Sequence, residues 1–166
     1  PATTAVSCLQ LASGRVKIEE LTVLGDVAPD GRAMVPEFAL DLTSTGAAFT
    51  LSMLPQGVYS RVRFSVDEVT VGGSWRSTPL MLQLEPDDDT PIDVRADGVE
   101  VTPGHDGELA VGVDAGAWFA GDVLDGATVD NNGQLVVDGA HNAGVAATIA
   151  ARIPASFSLV ASTPAR

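Results

Sequence analysis

The chain of 166 residues contains a single cysteine, Cys8, so it cannot close an intramolecular disulfide and is not a disulfide-stabilised scaffold. It has no run of about 20 consecutive apolar residues, which excludes a membrane-spanning helix of ordinary length. Cations are scarce as well, because nine Lys and Arg residues stand against 22 Asp and Glu residues, for a formal net charge of −13. A surface of that sign repels phosphate backbones, so we expect no nucleic-acid partner.

Residues typical of catalytic centres are equally few. The chain has two histidines, His105 and His141, and neither stands in a Ser/His/Asp pattern or beside a G-x-S-x-G turn. The H-x-x-x-H and C-x-x-C spacings of zinc sites are missing too. The two histidines could bind a late transition metal only if the fold brought them together. We therefore predict that the protein is not an enzyme and has no catalytic residues.

What the sequence does contain is regular alternation of apolar and polar residues. Hydrophobic residues make up 45% of the chain, enough to fill a core. In the segment 58–66, Val58, Val62, Phe64 and Val66 share one parity, and polar residues occupy most of the other positions. This pattern predicts a strand with one buried face. The phase changes after Asp67, which predicts a β-bulge or a bend near that residue.

Similar segments recur along the chain, separated by turns that contain Gly, Pro or Asn, such as 54–57 and 131–133. Short strands at this spacing favour an all-β fold, an antiparallel β-sandwich of about seven to nine strands. The segment 142–152 is the exception, because its apolar spacing predicts a short helix with Asn142 as the N-cap. A further helical turn is expected at 115–119. We expect one domain over residues 1–166.

The N-terminal segment allows two interpretations of Cys8. Alternation in residues 5–11 predicts a strand in which Cys8 is a small buried hydrophobe. Alternatively, Cys8 accepts a lipid, because small residues precede it. Residues 1–5 lack the charged and apolar regions of an export signal, and Pro1 is not a natural start. We therefore expect a trimmed chain whose precursor carries the targeting segment and, in the second interpretation, an N-terminal lipid anchor.

One turn and strand resemble a known structural feature. The segment 54–59, L-P-Q-G-V-Y, resembles the L-P-x-G-x-Y turn of prealbumin-like domains, as in carboxypeptidase-regulatory-like and collagen-adhesin B-type modules. With Arg63 and Phe64 after it and V-K-I-E-E-L at 16–21 before it, the chain is also similar to an uncharacterised family of bacterial cell-envelope domains, many on exported lipoproteins.

This resemblance covers residues 15–72 and, more loosely, 99–119. It implies a prealbumin- or immunoglobulin-like β-sandwich. It also implies an exported protein, in the periplasm, on the cell surface or outside the cell. The family offers no catalytic residues to carry over.

Two acidic loops are candidate calcium sites, because calcium binds carboxylate and carbonyl oxygens on loops. Asp87, Asp88 and Asp89 belong to the first loop, and Asp130 and Asn132 belong to the second. Neither loop matches the D-x-[DN]-x-[DN]-G spacing. A solvated acidic loop and a hairpin turn are therefore the alternatives. We expect either no cofactor or a structural calcium ion.

Aromatic residues are limited to two tryptophans, one tyrosine and five phenylalanines. Trp75, in a polar and glycine-rich setting, is the candidate platform for stacking a sugar ring, and the alternative is a residue that covers one end of the sandwich. Trp118 and Phe119 are expected in the core. Arg61 and Arg63 lie on the polar side of their strand and are expected to meet carboxylates across the sheet.

Together with the location that the resemblance implies, these observations predict a non-catalytic cell-envelope or extracellular domain, a binding module for a glycan or protein ligand or a surface-structural module. The acidic charge suits an exported module that resists non-specific association. A calcium-stabilised structural or adhesion domain is the alternative. A hydrolase or redox enzyme is the third hypothesis, and it would need His105 or His141 to meet carboxylates in a cleft.

Overall fold

The computed structural model of the protein describes residues 8–25, 32–43, 56–86, 90–101 and 108–162. Most of this part of the chain is β-strand, with one α-helix, which confirms the all-β prediction. The strands are β1 (Leu9–Gly25), β2 (Arg32–Val35), β3 (Phe38–Asp41), β4 (Gly57–Trp75), β5 (Thr78–Leu84), β6 (Ile92–Val101), β7 (Glu108–Val113), β8 (Leu135–Val137) and β9 (Phe157–Ser162).

Seven of these strands form one sheet around the two longest. β1 and β4 pair antiparallel over most of their length. On the side of β1 away from β4, β2 and β3 pair with successive parts of the strand. On the side of β4 away from β1, β6 pairs with the first part of the strand and β5 with the last part. β8 extends the sheet by pairing in parallel with β5. The two long central strands therefore pair directly with all the remaining strands of this sheet except β8.

The alternation in β4 separates a buried face from an open one. Val62, Phe64 and Val66 are at most 3% exposed and contribute to the core. Arg61 and Arg63 lie between them and project to the opposite side, which we call the open face. Most of β4 was therefore readable from the sequence.

Irregular pairing keeps the apolar residues of both long strands on the buried face. Lys17 pairs with Glu68 and Ile18 pairs with Val66, so Asp67 is an extra residue in β4. This confirms the predicted bulge. A second irregularity in β1 includes Glu20, whose φ is +46°, and it returns the next residues to the phase that buries them.

The buried face is covered by the C-terminal half of the chain. β7 and β9 form a separate two-stranded sheet, and β9 lies against β6 and β4. The ring of Phe157 meets the ring of Phe64 edge to face, with centroids 4.8 Å apart. Trp118 and Phe119, in a 3₁₀ helix at Ala115–Phe119, are buried as predicted.

Helix α1 (Ala143–Arg152) contributes Ala146 and Ile149 to the same core and confirms the predicted helix. It is too short to cross a membrane, and the described part of the chain contains no helix that could do so. Tyr59, the aromatic residue of the turn-and-strand motif, is buried at 2% exposure.

The first of the two interpretations of Cys8, a small hydrophobe buried within a strand, is wrong. Cys8 is exposed and immediately precedes β1. Its carbonyl accepts a hydrogen bond of 2.9 Å from the backbone N–H of Arg76, so it lies at the end of the sheet beside the β4–β5 turn. A further alternating segment, 47–53, falls outside the described residues.

Candidate functional site

The open face carries a groove of about 480 Å³ where β3, β1, β4 and β5 run side by side. Strand pairing aligns Asp41 with Arg15, Arg15 with Thr70, and Thr70 with Gln83. One row across four strands therefore offers a carboxylate, a guanidinium, a hydroxyl and an amide. We call these four residues the polar row.

The neighbouring row gives the groove its depth. Ser13 pairs with Gly72, and Gly72 pairs with Met81. Because Gly72 has no side chain, the surface is recessed at the centre of this row. A Cβ at position 72 would lie 2.6 Å from Ser13 Oγ. Met81, which also lines the groove, is an apolar side chain that is 42% exposed. Among the described residues that line the groove, none is aromatic.

The two charged members of the polar row have different surroundings. Asp41 Oδ1 accepts hydrogen bonds from the Thr43 hydroxyl at 2.7 Å and from the Thr43 backbone N–H at 2.8 Å. These bonds lower the pKa of Asp41, so its carboxylate is ionised at neutral pH. The side chain of Arg15 is exposed and makes no ion pair or side-chain hydrogen bond with any residue that the structure describes. The groove therefore presents an anchored anion next to an available cation.

Trp75, the candidate sugar platform, does not line this groove. It ends β4, is half-buried and packs against the core. The guanidinium carbon of Arg76 lies 4.9 Å from the ring centroid, and Arg76 Nη2 contacts Asp125 Oδ1 at 2.8 Å. The position is that of a residue covering one end of the sheet, and a sugar-stacking role for Trp75 stays a prediction.

The candidate calcium ligands fall in two places. Asp87, Asp88 and Asp89 lie outside the described residues. Asp130 Oδ1 accepts the backbone N–H groups of Asn132 and Gln134, each at 2.8 Å, and these bonds together with the Asn132 amide lower its pKa. The carboxylate of Asp130 therefore organises a turn, and within the described ranges no three His, Cys, Asp or Glu side chains gather as metal ligands.

Of the two histidines, only His141 lies within the described residues, and it does not line the groove. His105 falls outside the described residues. His141 is exposed, and its ring Nδ1 lies 3.1 Å from each carboxylate oxygen of Asp138. Asp138 Oδ1 also accepts the His141 backbone N–H at 2.6 Å, and this contact is the main cause of the lowered pKa of Asp138. This pair closes a surface turn.

Asn142 has a role that the sequence did not indicate. It holds the N-cap position of α1, but its side chain makes no capping bond, so the predicted cap is only positional. Its Oδ1 accepts from the backbone N–H and hydroxyl of Thr128, while its Nδ2 donates to the carbonyls of Thr128 and Val136. The Asn142 side chain therefore links two separate points of the preceding segment, Thr128 and Val136. The backbone φ of Asn142 is +54°.

The sequence analysis did not predict the groove, although the alternating pattern indicated that two of its residues lie on a polar strand face. Arg15 and Gln83 each occupy a polar position in an alternating segment, but their alignment depends on strand pairings between distant segments. Comparison of the chain with known protein families, with characterised proteins and with solved structures finds no match in any of the three.

Proposed function

We propose that this protein is a non-catalytic binding module that holds a glycan in the groove of the open face. The observation that carries the proposal is the polar row, Asp41, Arg15, Thr70 and Gln83, beside the low centre at Gly72. A protein ligand is the competing occupant. Peptides that bind sheets commonly add a strand at an edge, whereas this groove lies on a face.

The chemistry of the row suits sugar hydroxyls, which both donate and accept hydrogen bonds. Asp41 accepts, Arg15 donates, and Thr70 and Gln83 can do either. Directly opposite side chains on neighbouring strands are about 5 Å apart, close enough for two of them to bond the same sugar ring. Exposed Met81 supplies an apolar edge against which the C–H groups of the ring can pack.

The carboxylate content of the groove argues for binding without hydrolysis. Glycoside hydrolysis ordinarily uses two carboxyl groups on opposite sides of the scissile bond. Asp41 is the one carboxylate among the described residues that line the groove. Its pKa is lowered by Thr43, which makes it a poor proton donor at neutral pH.

The resemblance to cell-envelope domains extends this proposal to fold type and location. We propose a prealbumin-like sandwich whose second layer is the β7–β9 pair, supported by the contact of Phe157 with Phe64. We also propose that the protein is exported to the periplasm, the cell surface or the medium. A lipid anchor near Cys8 in the precursor belongs to the same proposal, and the exposure of Cys8 is compatible with it.

The test begins with a glycan array probed with the purified chain, followed by calorimetric titration of the best ligand. Arg15→Gln removes a charged hydrogen-bond donor, so we expect about a tenfold loss of affinity. Met81→Ala removes the apolar edge and should also weaken binding. Arg76→Gln is the charge-matched control, because Arg76 lies at the β4–β5 turn and does not line the groove.

The proposal fails if no glycan binds or if Arg15→Gln and Met81→Ala bind as tightly as the unmodified chain. It also fails if Arg76→Gln weakens binding as much as Arg15→Gln does. Thermal melting of each variant shows whether the fold is intact. Release of new reducing ends from the bound glycan would show that the protein hydrolyses the glycan and is not a binding module alone.

A further inference from the structure

A second feature of the open face is a cluster of arginines around one carboxylate. Arg63 Nη2 lies 2.9 Å from Asp93 Oδ2, while the Nε atoms of Arg61 and Arg95 lie 3.8 and 3.9 Å from Asp93 Oδ1. Strand pairing builds the group, because Arg61 is opposite Arg95 and Arg63 is opposite Asp93. We call these four residues the arginine cluster.

The arginine cluster has more positive charge than it needs for its own ion pairs. Three guanidinium groups share the single charge of Asp93, which leaves an excess of two positive charges in a chain whose formal net charge is −13. None of the three arginines makes another ion pair in the part of the chain that the structure describes. The excess charge is therefore available to a ligand.

The guanidinium groups are also accessible. The exposed fractions of the Arg61, Arg63 and Arg95 side chains are 31%, 48% and 72%. Each guanidinium has five N–H donors, and the one carboxylate they share cannot accept from all of them. Arg61 also faces Leu24 across the β1–β4 pair, and Arg63 faces Thr22. The arginine cluster therefore presents exposed guanidinium N–H groups on the open face, and Asp93 does not accept from all of them.

We propose that the arginine cluster binds a phosphate group, either free in solution or exposed on a lipid headgroup. The two excess charges match a phosphate dianion, and the planar guanidinium fork fits two phosphate oxygens at once. Asp93 keeps the three side chains together and competes with the ligand for their donors.

This site is separate from the groove. Arg63 and Thr70 are both on β4, and seven positions of extended strand span about 23 Å. Between them lies Lys17, whose Nζ contacts Asp67 at 2.5 Å and Glu37 at 3.2 Å. Those carboxylates would repel an anion midway between the sites. The proposal of phosphate binding therefore does not depend on the proposal of glycan binding, and each can be tested separately.

The experiment titrates the purified chain with inorganic phosphate at constant ionic strength and follows backbone amide shifts in β4 and β6. Saturable shifts there are expected. Arg95→Gln and Arg63→Gln should each weaken binding about tenfold. Asp93→Asn removes the competing carboxylate and should strengthen binding, whereas loss of a purely structural carboxylate would weaken it. Arg76→Gln, which removes the same charge elsewhere, should change affinity less than about twofold.

A parallel arm measures sedimentation with vesicles that contain a phosphate-monoester lipid, with neutral vesicles as the reference. Binding to inorganic phosphate supports a soluble ligand, and cluster-dependent binding to the vesicles alone supports a headgroup. The proposal is overturned if neither probe binds, or if Arg76→Gln weakens binding as much as Arg95→Gln. It is also overturned if folded Asp93→Asn binds more weakly. Arg95 is largely exposed, so Arg95→Gln decides the matter if the other variants fail to fold.

Discussion

At the scale of single residues, Asn142 shows how one polar side chain can hold a loop in place. Its amide forms four hydrogen bonds, to three groups of Thr128 and to the carbonyl of Val136. Its backbone adopts the left-handed conformation, which Asn tolerates better than most residues because its side chain bonds locally. Side-chain chemistry and backbone conformation thus favour the same residue at this position.

Replacing Asn142 therefore tests both contributions. Asn142→Ala should lower the free energy of unfolding by about 2–4 kcal/mol, because it removes the hydrogen bonds and places a Cβ-bearing residue without local bonds at positive φ. Urea denaturation followed by circular dichroism measures the change. Asn142→Gly keeps the backbone unstrained and should lose less. Equal losses in the two variants would show that the left-handed conformation contributes nothing.

At the scale of elements, the β7–β9 pair is held to the main sheet by apolar contacts. Phe157 begins β9, is 8% exposed and packs edge to face on Phe64 of β4. Leu159, two positions further along β9, is buried on the same side. Ser158 lies between them and is exposed. β9 therefore has one attaching face and one solvent face.

Truncation of the attaching face should be costly. Phe157→Ala should lower the free energy of unfolding by about 3–5 kcal/mol, since it leaves a cavity against Phe64. Ser158→Ala is the matched control on the same strand and should stay within about 0.5 kcal/mol. Urea unfolding of the three proteins gives both values. A Phe157→Ala protein as stable as the control would mean that β9 is not anchored by this contact.

The elements also show which parts of the fold were readable in the sequence. Alternation revealed β4, the bulge at Asp67 and the position of α1, because each depends on residues close together in the chain. The polar row depends on which strands become neighbours, and Arg15 meets Asp41 and Thr70 only through long-range pairing. The Cys8 prediction failed for a related reason, since alternation alone does not say where a sheet ends.

At the scale of the whole molecule, positive charge is concentrated on one side. Most lysines and arginines of this acidic chain lie on the open face, where Lys17 and its two carboxylate partners separate Arg15 from the arginine cluster. The residues concerned are Arg15, Lys17, Arg61, Arg63 and Arg95. Acidic residues elsewhere on the surface repel anions. An anion that binds this protein is therefore directed to the open face.

The same charges predict how stability depends on pH. Hydrogen bonds lower the pKa of Asp41, Asp130 and Asp138 below that of a free aspartate. A carboxylate with a lowered pKa stabilises the fold above its unfolded value of about 3.9 and loses that contribution as the pH falls through its folded value. The melting temperature should therefore drop below about pH 4.

Melting curves between about pH 2.5 and about pH 7, limits that lie on either side of the ordinary aspartate pKa of about 3.9, would test this expectation. Asp130→Asn and Asp138→Asn should each flatten the acidic limb, because the variant side chain no longer titrates. An acidic limb that is unchanged in both variants would assign the pH dependence to other groups.

The division of β4 into a buried and an open face has an evolutionary consequence. Residues that hold the molecule together and residues available to a ligand alternate along one strand, so each set can change without disturbing the other. Thr70 of β4, like its neighbours Arg15 of β1 and Gln83 of β5, could be exchanged for another polar residue while the buried residues of β4 stay fixed. Relatives of this protein could thus acquire new specificities on an unaltered scaffold.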